Sequence, residues 1–363
     1  MRRQILGAMM AGAGLLAACG GGGGSDADSS AVAVSLSGTA AKGLMAGATV
    51  SAHAVRADGS IDEAALATAT TDAQGAYALA FSGVKDQPVV IRVTASEATT
   101  HIDELTGETR PLAPGFQMRS LVVPSVTGTV ATRASITPFS EMAVAAAQKA
   151  DGGLTAANAA QAVSTVTQLL GFNPVTVQVA PASEAATVEQ QQMAVMLAAV
   201  SQLASDGAIG CADGDDAAKT RCVVETLAAS AATGTLKLST ATVDVSASLA
   251  DAVTKVFDNP TAVATIPRTT IDVAVANLGC TTDCAVAIAS PSSDAIAAAR
   301  SLFTQLKTDI ATVFLGSGSS AADGPANAQA LAFGAAMRDV QLPAEMVAKD
   351  LGALLMGVDL YHD

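Results

Sequence analysis

Tryptophan is absent from the 363 residues, and aromatic side chains make up only 3% of the chain. Stacking platforms for sugars or nucleobases are therefore not expected. Basic side chains are scarce too: 19 Lys and Arg stand against 33 Asp and Glu, a net charge of −14. A nucleic-acid binder needs a basic patch to meet phosphates, so nucleic acid is excluded as a partner class. The three histidines, His53, His101 and His362, lie far apart, and a three-histidine zinc site would need all of them. There is no H-E-x-x-H, no G-x-S-x-G elbow and no phosphate-binding glycine loop with lysine; Gly316-Ser317-Gly318 is low-complexity loop. No catalytic residue, cofactor or metal ligand set emerges, and the expectation is a protein that is not an enzyme. Half the residues are apolar, but many are alanine, which contributes little burial.

What is present begins with residues 1–18. Arg2 and Arg3 form a basic start, Ile5 to Ala18 is uncharged and apolar or small, and the run ends in Leu16-Ala17-Ala18-Cys19. It is shorter than the roughly 20 apolar residues a membrane span needs. A plain secretory leader would share the basic start, apolar middle and small-residue end. The whole segment resembles the signal peptide and lipobox of bacterial lipoproteins. That resemblance implies cleavage before Cys19, a thioether-linked diacylglycerol on its sulfur and an acyl chain such as palmitate on its new amine. Three chains at about 0.8 kcal/mol per buried CH₂ would hold the protein in a bilayer essentially permanently. Loss of Arg2 and Arg3 would leave 17 basic against 33 acidic side chains, a net charge of −16. No second, electrostatic hold on anionic lipid is then expected. Gly20 follows the cysteine where related lipoproteins retained at the inner membrane carry aspartate. The resemblance thus implies the outer membrane, facing the periplasm or the cell surface.

Residues 19–31 read as a tether. Gly20 to Gly24 and Ser25-Asp26-Ala27-Asp28-Ser29-Ser30 have little to bury. At about 5–6 Å × √n the tether reaches about 20 Å, enough to lift a folded part clear of the headgroups.

Residues 32–136 read as β structure. Val32, Val34 and Leu36 alternate with small residues, Ala48 to Val55 is a second candidate strand, and Tyr77, Leu79 and Phe81 alternate again. Val89-Val90-Ile91-Arg92-Val93 is strongly β-branched. Turn chemistry at Asp58-Gly59, Asp72 to Gly75, Gly83 and Pro88 separates the runs. Short strands at this spacing predict a β-sandwich. Gly38-Thr39-Ala40, Gly47-Ala48-Thr49-Val50 and Thr71-Asp72-Ala73-Gln74-Gly75-Ala76-Tyr77 together resemble the carboxypeptidase-regulatory-like, or transthyretin-like, domain. The resemblance covers about 60 residues. It implies a sandwich with a scaffold or binding role. The family's usual glycine and tyrosine before the last strand are missing, and Val84-Lys85-Asp86-Gln87-Pro88 stands there instead.

From Thr137 to residue 363 the chain reads as mainly helical, giving an α+β fold class: an N-terminal β-sandwich followed by a helical domain. Thr137-Pro138 supplies an N-cap and a first-turn proline. A second helix is predicted from Thr155 to Leu170, with Gly171 as its stop. A third, from near Ser183, would carry Met193, Met196, Leu197, Val200 and Leu203 on one stripe. Leu249, Val253, Val256 and Phe257 share a face further on. The clearest periodicity runs from Ser292 to Phe314, and two last helices are predicted to start at Pro325 and Pro343.

Four cysteines remain besides Cys19: Cys211, Cys222, Cys280 and Cys284. In an exported protein an even number suggests disulfides. Of the three possible pairings, the local one, Cys211–Cys222 and Cys280–Cys284, is expected. A four-thiolate metal site fits poorly, because these spacings are wider than C-x₂-C. Asp213, Asp215 and Asp216 fall inside the first loop. Carboxylates two apart can share calcium, but the closing glutamate of a calcium loop is missing, so a solvated loop is expected. Asp103 and Glu104, near His101, read as an exposed polar loop before Thr106-Gly107.

These readings converge on a membrane-anchored lipoprotein of the bacterial envelope. Its partners would be the lipid bilayer, through acylated Cys19, and an envelope protein or small ligand. The alternative is an exported hydrolase with an unrecognised site in the helical region.

Overall fold

The computed structural model describes residues 31–125, 128–233, 237–259 and 263–279. The leader, Cys19, the tether up to residue 30, Cys280, Cys284, His362 and the helices predicted after residue 280 lie outside these residues. The described chain is α+β: ten strands in three sheets, then six α-helices.

Strand β1 (Ala31–Thr39) buries Val32, Val34 and Leu36 and exposes the residues between them. It lies in the centre of the first sheet. Strand β5 (Ala76–Val84) pairs with it antiparallel, matching Val34 to Phe81 and Leu36 to Leu79. Strand β10 (Gly128–Arg133) runs parallel along its other edge. The second sheet is antiparallel, in the order β4 (Ile61–Thr70), β3 (Thr49–Val55), β6 (Val89–Thr94), β9 (Gln117–Val122). A small third sheet joins β2 (Met45–Ala46), β7 (Thr100–Ile102) and β8 (Thr109–Pro111).

The run Val89-Val90-Ile91 does not alternate, and the structure shows why. Val89 and Ile91 face a core shared with Val34, Leu79 and Phe81 of the first sheet. Val90, with Val55 and Leu121, faces the other way, into a second core with Val144, Ala147, Leu154, Ala159 and Ala162 of the helical region. A strand buried on both faces carries a continuous apolar run rather than period 2.

The hairpin between β4 and β5 has the chemistry its sequence requires. Asp72 Oδ1 accepts from the amides of Gln74 (2.9 Å) and Ala76 (2.8 Å). Gly75 sits at φ +72°, which a side chain would strain. Tyr77 then turns inward, and its hydroxyl donates to the carbonyl of Ala134 at 2.5 Å, in the segment leading from β10 into the helices.

Helix α1 (Pro138–Lys149) starts at a reciprocal cap. Ser140 N donates to Thr137 Oγ1, and Thr137 N donates to Ser140 Oγ. Helix α2 (Ala156–Leu170) ends at Gly171 in the left-handed region. Helix α3 spans Val188–Ser205, starting later than the expected Ser183. Thr187 and Gln190 form a capping box there, and that fixes the first turn. It also buries residues 192–201 continuously rather than one stripe, because its alanines let neighbouring helices close in on every side. Helices α4 (Asp216–Ala231), α5 (Val245–Asp258) and α6 (Asp272–Leu278) complete the set. Phe139, Met142, Leu170, Met196, Leu203 and Val253 belong to the same core as both larger sheets. Phe139 and Phe172 meet edge to face, with centroids 5.9 Å apart. Among the described residues no helix is long and apolar enough to cross a membrane.

Candidate functional site

The most unusual polar arrangement lies where the turn after β1, the loop after β7 and helix α3 meet. The turn after β1 is pulled inward by backbone bonds: Ala40 N to Gly75 O (2.8 Å), Ala41 N to Ile136 O (2.8 Å) and Met45 N to Ala40 O (3.0 Å). Lys42 is thereby carried into the interior, and none of its surface is exposed. Its ammonium donates to Glu104 Oε2 at 2.9 Å and to Ser201 Oγ at 2.7 Å. Ser201 donates in turn to Glu104 Oε2 at 2.7 Å, and the amide of Gly43 donates to Glu104 Oε1. The ion pair is thus hydrogen-bonded on both sides. That is the condition under which a buried pair offsets its desolvation.

His101, on β7, is buried beside this cluster, and its Nδ1 has no hydrogen-bond partner. Burial and, second, the charge of Lys42 push its imidazole down to about 4, against the opposing pull of Glu104 and Asp103. The native state therefore holds His101 neutral while the unfolded chain protonates it near 6.5. Between those two values the unfolded state binds more protons, so stability is complete above about pH 6.5 and falls as pH drops toward 4. We expect a loss of about 3 kcal/mol over this window in urea unfolding. His101→Asn should flatten the slope; a slope unchanged by that substitution would show that His101 takes up its proton as readily folded as unfolded.

The expectation of an exposed loop at Asp103 and Glu104, near His101, is thus corrected. Asp103 does form a turn, its Oδ1 accepting from Leu105 N (3.1 Å) and Thr106 N (3.0 Å), but that turn delivers Glu104 inward. Lys42 and Ser201, 159 residues apart, were not singled out as a polar pair by sequence reasoning. The available signal was a lone charge, Lys42, within the small and apolar run Ala40 to Ala46.

A serine hydroxyl 2.7 Å from a lysine amine has the outline of a hydrolase dyad. Both groups are instead engaged by Glu104 Oε2, which lies 2.9 Å from the amine and 2.7 Å from the hydroxyl. Ser201 is also buried. The cluster is chemically an interlock that ties sheet loops to α3.

The other expected residues are dispersed. His53 is buried on β3, with Nδ1 2.9 Å from Asp62 O and Nε2 2.8 Å from Ser51 Oγ. Cys211 and Cys222 are joined, with an S–S distance of 2.02 Å. A loop of this length stabilises by roughly 3 kcal/mol in the chain-entropy model. Asp215 caps α4, accepting from Ala218 N at 2.8 Å, and Asp216 pairs with Arg110 at 2.8 Å. Asp213 is exposed. Among the described residues no three His, Cys, Asp or Glu cluster in a way that could hold a metal.

A cleft of about 480 Å³ opens between the turn Pro111 to Pro114 and α4, where Arg221, Cys222 and Glu225 line it. Among these, Arg221 donates to Pro114 O at 2.7 Å. No protein family, curated protein or solved structure matches this chain.

Proposed function

We propose that this chain is a lipid-anchored protein of the bacterial outer membrane, acting without catalysis as a binding or scaffold module. The observation that carries the reading is Leu16-Ala17-Ala18-Cys19 at the end of an apolar run that follows Arg2-Arg3. The Cys211–Cys222 disulfide supports an oxidising, exported location. We further propose that the two larger sheets form a sandwich of the carboxypeptidase-regulatory-like kind. Support comes from their common core and from the Asp72–Gly75 turn that feeds Tyr77 inward. The burial of Ser201 and Lys42 and the engagement of both by Glu104 favour the non-catalytic reading over a hydrolase.

Mass spectrometry of the chain purified from a bacterial host tests the anchor. The expected mature N-terminus is Cys19 carrying three acyl chains. Cys19→Ser is expected to leave the leader uncleaved and the acyl mass absent. A mature chain that starts elsewhere, or an unmodified Cys19, would overturn the proposal. Protease shaving of whole cells on the same material reads which side of the envelope the protein faces.

A further inference from the structure

Arg92 lies at the middle of β6, directly opposite Ser51 on β3 and Arg119 on β9. Ser51 in turn faces Thr68 on β4. Residues directly opposite in a sheet project from the same face, so Thr68, Ser51, Arg92 and Arg119 form one row. The row is on the face away from Ile91 and Met118, which point into the main core. One step along the strands a second polar row follows, in which Thr49 and Gln117 flank Thr94.

Two like charges directly opposite each other repel. The structure neutralises one of them. Arg119 Nε lies 3.1 and 3.0 Å from the two carboxylate oxygens of Glu141, its Nη2 bonds the same carboxylate, and Nη1 donates to Gln148 Oε1 at 2.7 Å. That fork uses the one carboxylate that α1 brings to this face. Arg92 is left as it is. It is only partly exposed, its Nε is shielded from solvent without any hydrogen-bond partner, and among the described residues no carboxylate pairs with it. A guanidinium stays charged under all ordinary conditions. A partly shielded guanidinium with no counter-ion is stabilised when an anion joins it.

We propose that Arg92 anchors a binding site for the carboxylate of a small molecule, on the face of the four-stranded sheet that turns away from the main core, beside α1. Two guanidinium groups and one glutamate leave a single positive charge in the row, which one carboxylate balances. Arginine is also the side chain whose planar fork matches a carboxylate's two oxygens. Ser51, whose hydroxyl is already 2.8 Å from His53 Nε2, stands opposite Arg92, and Thr94 follows two residues along on the same face. This site does not depend on the lipid anchor and would stand if Cys19 proved unmodified.

The test is NMR on full-length chain labelled with ¹⁵N-arginine, in mild detergent, titrated with sodium acetate at constant ionic strength. A saturable shift of the Arg92 Nε–H signal is expected. Arg92→Lys should weaken the response, followed through Arg119 Nε–H, at least tenfold, and Arg92→Gln should abolish it. Arg56→Gln should leave the Arg92 shift intact, because Arg56 is exposed and already paired with Asp62. The unliganded fold should tolerate Arg92→Gln, since no partner is lost, and an unchanged melting temperature without acetate would verify this. No saturable shift, or an Arg119 response unchanged by Arg92→Gln, would overturn the site. Inorganic phosphate binding tenfold more tightly than acetate would overturn the carboxylate assignment.

Discussion

Replacing Lys42 with methionine is expected to destabilise the protein by about 3–5 kcal/mol, because it removes one partner of a buried ion pair and leaves the other. Glu104 would keep the amide of Gly43 and the hydroxyl of Ser201 but lose its only cation among the described residues. For a cooperative unit the size of the 241 described residues, each kcal/mol lowers the melting temperature by about 2 °C, so a drop of roughly 6–10 °C is expected. The loss should be insensitive to added salt, since Lys42 is shut off from solvent and its pair is poorly screened. The double variant Lys42→Met/Glu104→Met should recover much of the loss, because an apolar replacement of both partners leaves no orphan charge. A single variant within about 1 kcal/mol of wild type would mean that the pair is solvated and the interlock is not formed. Circular dichroism with urea, run as a double-mutant cycle, gives these numbers.

Gly38→Ala is expected to be as damaging for a different reason. A Cβ built on Gly38 would lie 1.8 Å from the carbonyl oxygen of Ala134 and 2.8 Å from the Tyr77 hydroxyl. These are the two groups that bond each other at 2.5 Å. Neither neighbour can yield cheaply. Ala134 is backbone, held by Ala134 N to Ser37 O at 3.0 Å, and the next links, Ile136 N to Thr39 O and Ala41 N to Ile136 O, run along the same seam. The methyl group must push β1 away from the segment that leads into α1. Overpacking of this kind costs about 1–3 kcal/mol or more, and the broken buried hydrogen bond adds about 1–3. Tyr77→Phe isolates the second contribution and should cost only that part. If Gly38→Ala melts no lower than Tyr77→Phe, the close approach of these backbones is not real. If Gly38→Ala yields no soluble protein, the Tyr77→Phe measurement still reads the seam.

Gly38 thus acquires a physical reason that sequence alone did not supply. The positions around Asp72, Gly75 and Tyr77 were readable because each serves a local need: a carboxylate to cap a turn, a positive φ, an aromatic ring returned to a core. Gly38 serves a tertiary need, the passage of another backbone. Strand β4 was missed entirely. Its sequence, Ile61-Asp62-Glu63-Ala64-Ala65-Leu66-Ala67-Thr68-Ala69-Thr70, is rich in alanine and carries little β-branching. It is a strand because β3 supplies its hydrogen bonds along one edge, with an irregular register around His53. Helix α3 starts after Thr187 rather than near Ser183, because the box at Thr187 and Gln190 satisfies two amide donors at once.

From the sequence by itself came the α+β class, the principal turns and caps, the local cysteine pair at Cys211 and Cys222, the acidic balance and the leader that motivates the membrane proposal. All of these are set by neighbours in the chain, within a turn or a loop. The Lys42–Glu104–Ser201 interlock, the neutral His101, the fork of Arg119 on Glu141 and the unpartnered Arg92 were decided by the tertiary structure alone. Charge pairing inside a protein depends on which loops and helices are folded against each other, and the cost of a charge depends on how far water is kept away.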